Sequence, residues 1–195
     1  MEDQRRVDFG KEVIPFAIHH YYVRAFFFSG YWEDIGTIRT FYAANLELAS
    51  DRPPINLFDE ERPIYTRPRF LPGSRVAGCD VRQSIICEGS CLEAAAIDGC
   101  VIGIRSIVRR GAQLRRVVMM GADYYEDGLA GQVPLGVGEN CLIENAIIDK
   151  NARIGAGSRI VNAAQVKHFD GPNFFIRDGI VIVPKNAIVP PGSVI

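Results

Sequence analysis

The chain contains the run Ile148-Asp149-Lys150-Asn151-Ala152-Arg153-Ile154-Gly155-Ala156-Gly157-Ser158-Arg159-Ile160, in which an aliphatic residue recurs at every sixth position. Asn or Gly stands midway between successive aliphatic residues, and both residue types tolerate a left-handed backbone. A left-handed residue at a constant place in every hexad indicates a corner that is repeated along a regular coil. No single hexad can bury its aliphatic residue alone, so the repeat predicts stacked coils that share one core.

The same hexad occurs seven times in the second half of the chain. The instances are Ile86/Gly89/Leu92, Val108/Gly111/Leu114, Val137/Asn140/Ile143, Ile148/Asn151/Ile154, Ile154/Gly157/Ile160, Val183/Asn186/Val189 and Val189/Gly192/Ile195. We therefore predict a mainly β fold, a left-handed parallel β-helix of hexapeptide repeats over residues 76–195. A β-sandwich is the alternative, but its turns would be spaced by about 8 to 12 residues. Residues 119–134 and 163–175 interrupt the repeat and are predicted to be loops.

The first 48 residues show a different pattern, in which helix and strand alternate. Residues 7–15 are predicted to form a short element that ends at its proline, and residues 21–28 a buried strand. Thr37 is a candidate N-cap for an amphipathic helix of about three turns. One strand and two helices cannot cover both faces of an α/β sheet, so the covering layers are expected from residues outside these 195 or from another chain. Residues 1–48 are therefore predicted to belong to a truncated α/β domain. Residues 49–75 contain five prolines and no sustained period, which is typical of an ordered linker or of a segment that wraps around a neighbouring domain.

The 195 residues carry 22 Lys and Arg against 23 Asp and Glu, a net charge of −1, and 48% of them are apolar. This balance provides no electrostatic footprint for nucleic acid or for an anionic membrane, so neither partner is expected. The longest apolar stretch, residues 25–28, is far too short to span a bilayer, and the N-terminus has no signal-peptide pattern. We therefore expect an intracellular protein. Five cysteines without a C-x-x-C pair argue against a zinc site and a disulfide framework, and they are predicted to be small buried apolar side chains.

Five motifs, in order along nearly the whole chain, carry a resemblance to a known enzyme family. They are Asp8-Phe9-Gly10-Lys11-Glu12-Val13-Ile14-Pro15, Gly30-Tyr31-Trp32-Glu33-Asp34-Ile35-Gly36-Thr37-Ile38, Pro63-Ile64-Tyr65-Thr66, Met119-Met120-Gly121-Ala122-Asp123-Tyr124-Tyr125 and Ile147-Ile148-Asp149-Lys150-Asn151-Ala152-Arg153-Ile154-Gly155. Together they resemble the C-terminal part of glucose-1-phosphate adenylyltransferase, also called ADP-glucose pyrophosphorylase. Related sugar nucleotidyltransferases share the turn within the second motif and a β-helix, but they lack the fourth and fifth motifs.

The resemblance implies an enzyme that joins ATP and glucose 1-phosphate to give ADP-glucose and pyrophosphate for glycogen or starch synthesis. It also implies a homo- or hetero-tetramer that needs Mg²⁺, is controlled by metabolite anions, and resides in the cytoplasm or plastid stroma. On this basis residues 1–48 are the remnant of an α/β nucleotidyltransferase domain, and residues 76–195 are the regulatory and oligomerisation domain. The family's Gly-rich nucleotide loop lies upstream of the matched region, so the 195-residue chain alone is predicted to be inactive.

Asp34 is the candidate catalytic residue and metal ligand, since it resembles the family aspartate that helps to hold Mg²⁺ against the phosphates. Mg²⁺ prefers a few carboxylate oxygens together with phosphate and water, and it neutralises charge during the transfer. Trp32 and Glu33 flank Asp34 and are expected to help shape the sugar side of the pocket. The alternatives are a helix-cap role for Asp34 beside Thr37 and an exposed surface role for Glu33.

Four cationic residues are candidates for allosteric anion binding. Lys150 and Lys185 resemble family lysines that bind activators such as 3-phosphoglycerate. Arg69 resembles an arginine of an inhibitory site for inorganic phosphate or sulfate, and Arg67 stands where many members carry a different polar residue. Each charge-assisted bond to phosphate is about twice as strong as a neutral one. The alternative for each residue is a solvated surface charge, and residues 162–173 depart from the family pattern near the expected activator pocket.

Two rival functions follow from the same residues. Many hexapeptide β-helices are acyltransferases, which use a histidine base at a coil edge between subunits. His19 and His20 lie outside the repeat, and His168 lies in a predicted loop, so the positions of the histidines argue against this function. The second rival is a stand-alone, non-catalytic regulatory or oligomerisation protein that derives from the adenylyltransferase family.

Overall fold

The structure, a computed structural model, describes residues 6–126 and 132–195, and its contacts divide the chain into two compact units, residues 1–32 and 33–195. In the first unit, a π-helical turn, Phe9–Val13, leads into helix α1, Ile14–His20. The side chain of Asp8 accepts a hydrogen bond from the backbone N–H of Lys11 at 2.7 Å and caps the turn. Pro15 does not end the element as predicted, because it stands in the first turn of α1, where no N–H is needed.

The strand predicted for residues 21–28 is wrong. These residues form no strand, and their large side chains are exposed, that of Phe27 by 93%. A strand is stabilised by hydrogen bonds to a neighbouring strand, and none lies among the described residues of the first unit. The apolar composition of the segment is therefore not sufficient to give it strand structure.

The second unit contains helix α2, Ile38–Leu48, and sixteen strands among its described residues. The strands are β1 (Arg75–Ala77), β2 (Asp80–Arg82), β3 (Ile85–Ile86), β4 (Cys91–Glu93), β5 (Ala96–Asp98), β6 (Val101–Ile102), β7 (Ile107–Val108), β8 (Gln113–Met119), β9 (Gly136–Val137), β10 (Leu142–Ile148), β11 (Arg153–Ile154), β12 (Arg159–Ile160), β13 (His168–Asp170), β14 (Phe175–Arg177), β15 (Ile180–Val183) and β16 (Ile188–Val189). The predicted linker, residues 49–75, contains no helix or strand before Arg75, which begins β1.

The strands form a parallel β-helix with three faces, as the hexads predict. Face one contains β1, β4, β7, β9, β11 and β16; face two contains β2, β5, β12 and the first halves of β8 and β10; face three contains β3, β6, β15 and the second halves of β8 and β10. Arg75 pairs with Cys91, and Cys91 pairs with Ile107, so one coil takes 16 residues in this part of the helix. The predicted mainly β fold class is confirmed.

Both predicted interruptions lie between coils. Val108 pairs with Val137, and Ile154 pairs with Val189, so extra residues leave the coil within each interval. Part of the first interruption, residues 127–131, lies outside the described residues. The second interruption is more ordered than the predicted loop, since β13 pairs antiparallel with β14, and β14 with β15. His168 therefore begins a strand, because β14 provides hydrogen-bonding partners for its backbone.

The corners of the β-helix confirm the prediction of left-handed residues. All seven Gly and Asn residues of the hexads have a φ between 53° and 75°. The aliphatic residues between them point into one continuous core, where the fully buried members include Leu92, Val108, Leu114, Val137, Ile143, Ile154, Ile160 and Val183. A further column of corners, which includes Gln83, Gly99, Arg116 and Asn145, is also left-handed, and Gln83 and Arg116 in this column are neither Gly nor Asn.

The five cysteines are free thiols. Cys100 and Cys141 are buried in the core, as predicted for small apolar side chains, whereas Cys79, Cys87 and Cys91 are half-buried. Burial raises the pKa of the Cys100 thiol to about 11, so the side chain is neutral at pH 7 and packs as an apolar group.

Helix α2 has the predicted N-cap and covers the outside of face three. The Thr37 side chain accepts a hydrogen bond from the backbone N–H of Thr40 at 3.1 Å, and the Thr40 side chain accepts one from the backbone N–H of Thr37 at 3.1 Å. Tyr42 is only 6% exposed and packs on Val118 and Ile147, while its hydroxyl donates to the carbonyl oxygen of Arg116 at 2.5 Å. This helix belongs by its contacts to the β-helix unit, and the domain boundary after residue 48 stays a prediction.

None of the helices among the described residues combines the length and the apolar character that crossing a bilayer requires.

Candidate functional site

The coil register brings Lys150 and Lys185 to the same corner of the β-helix, between face three and face one. Ile148 pairs with Val183 in the parallel sheet, and each lysine follows two residues later in its own coil. The backbone N–H of Asn186 donates to the carbonyl oxygen of Lys150 at 3.0 Å, which joins the two corners directly. Two of the predicted anion-binding residues therefore lie one coil apart.

Asp123 lies between the two lysines. Its Oδ1 accepts from Lys150 Nζ at 2.9 Å, and its Oδ2 accepts from Lys185 Nζ at 2.8 Å. Asn151 Nδ2 donates to Oδ2 at 3.2 Å, and the backbone N–H of Asp123 donates to Asn151 Oδ1 at 2.8 Å. The Lys185 and Lys150 ammonium groups hold the pKa of the Asp123 carboxyl far below its usual range, and Asp123 in turn raises the pKa of Lys185.

The segment around Asp123 is fastened to the corners on both sides. Tyr125 Oη donates to the carbonyl oxygen of Gly89 at 3.0 Å, and Arg153 Nη1 donates to Glu126 Oε1 at 3.0 Å. The Glu126 and Arg153 side chains are only 12% and 15% exposed. Their contact lowers the pKa of Glu126 and raises that of Arg153. Residues 122–126 thus form a short strap across the corner column, and we call them the strap below.

A cavity of about 520 Å³ opens beside the strap. Its polar walls are Arg67, Arg69, Arg105, Asp123 and Lys150, and Pro68 and Phe70 complete it. The Arg105 guanidinium lies over the Tyr125 ring at 5.7 Å. Four cationic side chains and one carboxylate line the same space, so the cavity has the charge of a site for a small anion.

A second cavity, of about 630 Å³, shares residues 67–70 with the first. Leu71, Ile86, Cys87 and Ile104 give it an apolar wall, and Glu88 also lines it. The backbone N–H of Gly89 donates to the carbonyl oxygen of Pro72 at 2.8 Å, which holds the chain after residue 70 against the β-helix. Residues 67–70 thus separate a cationic cavity from a more apolar one.

The structure brings together three of the four predicted anion-binding residues in one cavity, Lys150, Arg67 and Arg69, and connects Lys185 to them through Asp123. Sequence reasoning missed Asp123 and Arg105 as members of this site. The sequence analysis noted Asp123 only as part of a motif. Its place in the fold did not follow from the hexads, because it lies in the stretch that interrupts the repeat. The equal spacing of Lys150 to Lys185 and of Asn151 to Asn186 could have indicated a shared corner.

The catalytic candidates are exposed and belong to no cluster of metal-ligating side chains among the described residues. Trp32, 75% exposed, ends the first unit, and Glu33 and Asp34 are exposed residues at the start of the second. Thr37, rather than Asp34, supplies the side-chain cap of α2. In the parts of the chain that the structure describes, no three His, Cys, Asp or Glu side chains are grouped to hold a metal ion. Asp34 can thus supply one carboxylate, which suits Mg²⁺ only if phosphate and water oxygens complete the ligand set.

The histidines have separate surroundings. His20 Nδ1 lies 2.8 Å from the carbonyl oxygen of Phe16 within α1, and His19 precedes it in the same helix. His168 Nε2 lies 3.8 Å from Asp178 Oδ1 in the second interruption of the β-helix. No histidine is among the residues that line the cationic cavity in the described part of the chain.

Comparison with protein-family models assigns both parts of the chain. Residues 69–194 match the model described as the GLGC left-handed parallel beta-helix domain, which also supplies the handedness that the hexads predict. Residues 1–51 match the model described as Nucleotidyl transferase. The first match covers more than half of the chain and includes the strap and both lysines. The chain therefore belongs to the family of the GLGC left-handed parallel beta-helix domain, joined to a segment of the nucleotidyl transferase type.

Proposed function

We propose that this chain is the allosteric and assembly half of a glucose-1-phosphate adenylyltransferase, which makes ADP-glucose and pyrophosphate from ATP and glucose 1-phosphate. The main support for the proposal is that Lys150, Arg67 and Arg69 line one cavity of a GLGC-type β-helix. Lys185 adjoins the same cavity through Asp123. Residues 1–51, of the nucleotidyl transferase type, supply the link to nucleotidyl transfer.

The ligand of the cavity is a small phosphorylated metabolite such as 3-phosphoglycerate, with inorganic phosphate as a competing anion. Guanidinium groups match phosphate in a bidentate geometry, and ammonium groups add compact point charges. Arg67 and Arg69 belong to residues 67–70, whereas Arg105 belongs to the β-helix, so an anion that binds all three joins residues 67–70 to the β-helix. A contact of this kind can transmit the presence of the effector to the rest of the enzyme.

On the catalytic side, Asp34 would hold Mg²⁺ together with phosphate oxygens, and Trp32 and Glu33 would line the sugar pocket. Mg²⁺ when bound neutralises charge on the phosphates during transfer. Asp34 is exposed and able to accept such a ligand. A tetramer of homologous chains is the expected assembly. The isolated 195-residue chain is expected to release no pyrophosphate from ATP and glucose 1-phosphate, and measurable release would show that it is a complete catalyst.

Calorimetric titration of the 195-residue chain with 3-phosphoglycerate and with inorganic phosphate tests the proposal. We expect saturable binding that weakens by about tenfold or more in Lys150→Gln and Lys185→Gln. Lys167→Gln is the matched control, because it removes the same charge from an exposed lysine in the second interruption of the β-helix. Equal binding in all four proteins would refute an effector site at this corner.

A further inference from the structure

The two predicted anion-binding lysines already hold an anion that belongs to the chain itself. Both carboxylate oxygens of Asp123 are engaged, Oδ1 by Lys150 and Oδ2 by Lys185, at 2.9 and 2.8 Å. Asn151 Nδ2 adds a third donor at 3.2 Å. Two ammonium groups and an amide around one carboxylate form the arrangement that these side chains would offer to a carboxylate or phosphate group of a ligand.

Resting on the proposed function, we propose that Asp123 is a tethered competitor that occupies Lys150 and Lys185 until a diffusible anion displaces it. The anion class is a phosphate or carboxylate group of a small metabolite. In this arrangement the lysines bind such an anion only in the fraction of molecules whose Asp123 side chain has left them. The apparent affinity of the site is reduced by that fraction.

The strap keeps Asp123 near the lysines without depending on the ion pairs. Ala122 N–H donates to the carbonyl oxygen of Ile104 at 2.9 Å, and Tyr125 Oη donates to that of Gly89 at 3.0 Å. Glu126 pairs with Arg153 at the end of the strap. These bonds remain when the Asp123 side chain rotates, so release of the lysines requires a change of side-chain rotamer and no unfolding of the strap.

The ion pairs of Asp123 are more exposed than a purely structural ion pair would be. The Asp123 side chain is 38% exposed, and those of Lys150 and Lys185 are 29% and 50% exposed, so solvent and a small anion can reach all three. Exposed ion pairs contribute little to the free energy of folding. Replacing the Asp123 carboxylate by another anion therefore requires little free energy. The Glu126–Arg153 pair, with both side chains largely buried, is the contact that fastens the strap.

Asp123→Asn tests the inference in the 195-residue chain. The substitution removes the negative charge but retains a side-chain oxygen for Lys150 and the backbone bond to Asn151. We expect 3-phosphoglycerate and inorganic phosphate to bind on the order of tenfold more tightly to this variant. Glu139→Gln is the matched control, because it removes the same charge at a different corner, beside Asn140, and should leave both affinities unchanged.

A double variant tests whether the gain in affinity depends on Lys185. If Asp123 competes for Lys185, then Lys185→Gln in the Asp123→Asn background should remove most of the gain in affinity, which a double-mutant cycle measures. If the variant does not fold, the unmodified chain provides a second measurement. Saturation with phosphate should raise the pKa of the Asp123 carboxyl, followed by carbon NMR, because the lysines then face the phosphate instead.

The outcomes separate this inference from the proposed function. Binding to the unmodified chain without any gain in Asp123→Asn, or an equal gain in Glu139→Gln, would overturn the competitor role and leave the effector site standing. Binding to Asp123→Asn alone would support both. If phosphate and 3-phosphoglycerate bind to neither protein, the effector site and the competitor are both refuted.

Discussion

Lys150 and Lys185 are 35 residues apart in the chain but occupy equivalent corner positions in successive coils, since Ile148 pairs with Val183. The interval between them contains three strands of the coil, β11, β12 and β15, and the antiparallel pair β13 and β14. The β-helix thus brings together side chains whose separation in sequence depends on the size of an insertion. The shared contact of both lysines with Asp123 shows how closely the register places them.

The first prediction concerns the electrostatics of this pair. Lys185→Ala and Lys150→Ala should each raise the pKa of the Asp123 carboxyl toward its ordinary range, because each removes one of the ammonium groups that stabilise the carboxylate. The double variant should raise it further. NMR titration of the Asp123 side-chain carbon between pH 2 and 6 measures the change. Lys167→Ala should leave this titration unaltered, and a similar change there would indicate a general charge effect.

The second prediction concerns the packing of α2 on the β-helix. Tyr42→Phe should destabilise the chain by about 1–2 kcal/mol, because the Arg116 carbonyl oxygen loses its partner while the ring remains packed. Tyr42→Ala should cost about 3–5 kcal/mol, since the ring that packs on Val118 and Ile147 is also lost. Urea denaturation measures both values. Tyr65→Phe removes the same hydroxyl from a side chain that is 92% exposed and should change the free energy of unfolding little.

These contacts show which parts of the molecule could be predicted from the sequence. The seven corners and their inward aliphatic residues followed from a period of six, because Gly and Asn are suited to the left-handed backbone that each corner needs. The column that includes Gln83 and Arg116 has the same conformation without either residue type in those two coils, so the pattern did not reveal it. Residues 21–28 have strand composition, yet a strand also requires a hydrogen-bonding neighbour, which composition does not supply.

The candidate site was predicted only in part for a similar reason. Lys150, Lys185 and Arg69 came from motif resemblance, and their types suit anion binding. Asp123 lies where the repeat is interrupted, so neither the period nor the register places it, and its position between the lysines depends on hydrogen bonds of the strap. Insertions that fold back onto a repetitive scaffold are the parts that periodicity cannot locate.

The third prediction concerns pH and the Glu126–Arg153 pair. The pKa of Glu126 is lowered in the folded chain by Arg153, from an ordinary value of 4.5. Its contribution to stability is therefore complete above about pH 5 and is lost as pH falls through the lower, folded value. Glu126→Gln should cost about 1–3 kcal/mol at pH 7, with a difference from the unmodified chain that shrinks on acidification toward pH 3.

Urea denaturation at a series of pH values measures this difference. Glu139→Gln serves as the control, since Glu139 lies at a corner away from the strap, and its substitution should produce no comparable dependence on pH. A Glu126→Gln curve that runs parallel to that of the unmodified chain at every pH would contradict the assignment of this pair.

The fourth prediction distinguishes two reasons for glycine, a left-handed backbone at Gly157 and a close backbone contact at Gly155. Gly157 is a corner with a φ of +71°, and a Cβ there would have no atom within 4 Å, so Gly157→Ala costs only backbone strain, about 1–2 kcal/mol. Gly157→Asn should be nearly neutral, because Asn140 occupies the preceding corner of the same column. Gly155 lacks a positive φ, but a Cβ there would lie 2.3 Å from Pro191 N and 2.6 Å from Pro191 Cα.

Those atoms belong to the backbone of the next coil, which cannot move without disturbing the strand spacing of about 4.8 Å. Gly155→Ala should therefore cost more than Gly157→Ala, about 3 kcal/mol, and Gly155→Asn should be worse, since asparagine relieves backbone strain but not a steric clash. Thermal and urea unfolding of the four variants measure the order. Equal costs for Gly155→Ala and Gly157→Ala, or rescue of Gly155 by asparagine, would mean that the coils can separate at this corner and that only the backbone conformation decides the choice of residue.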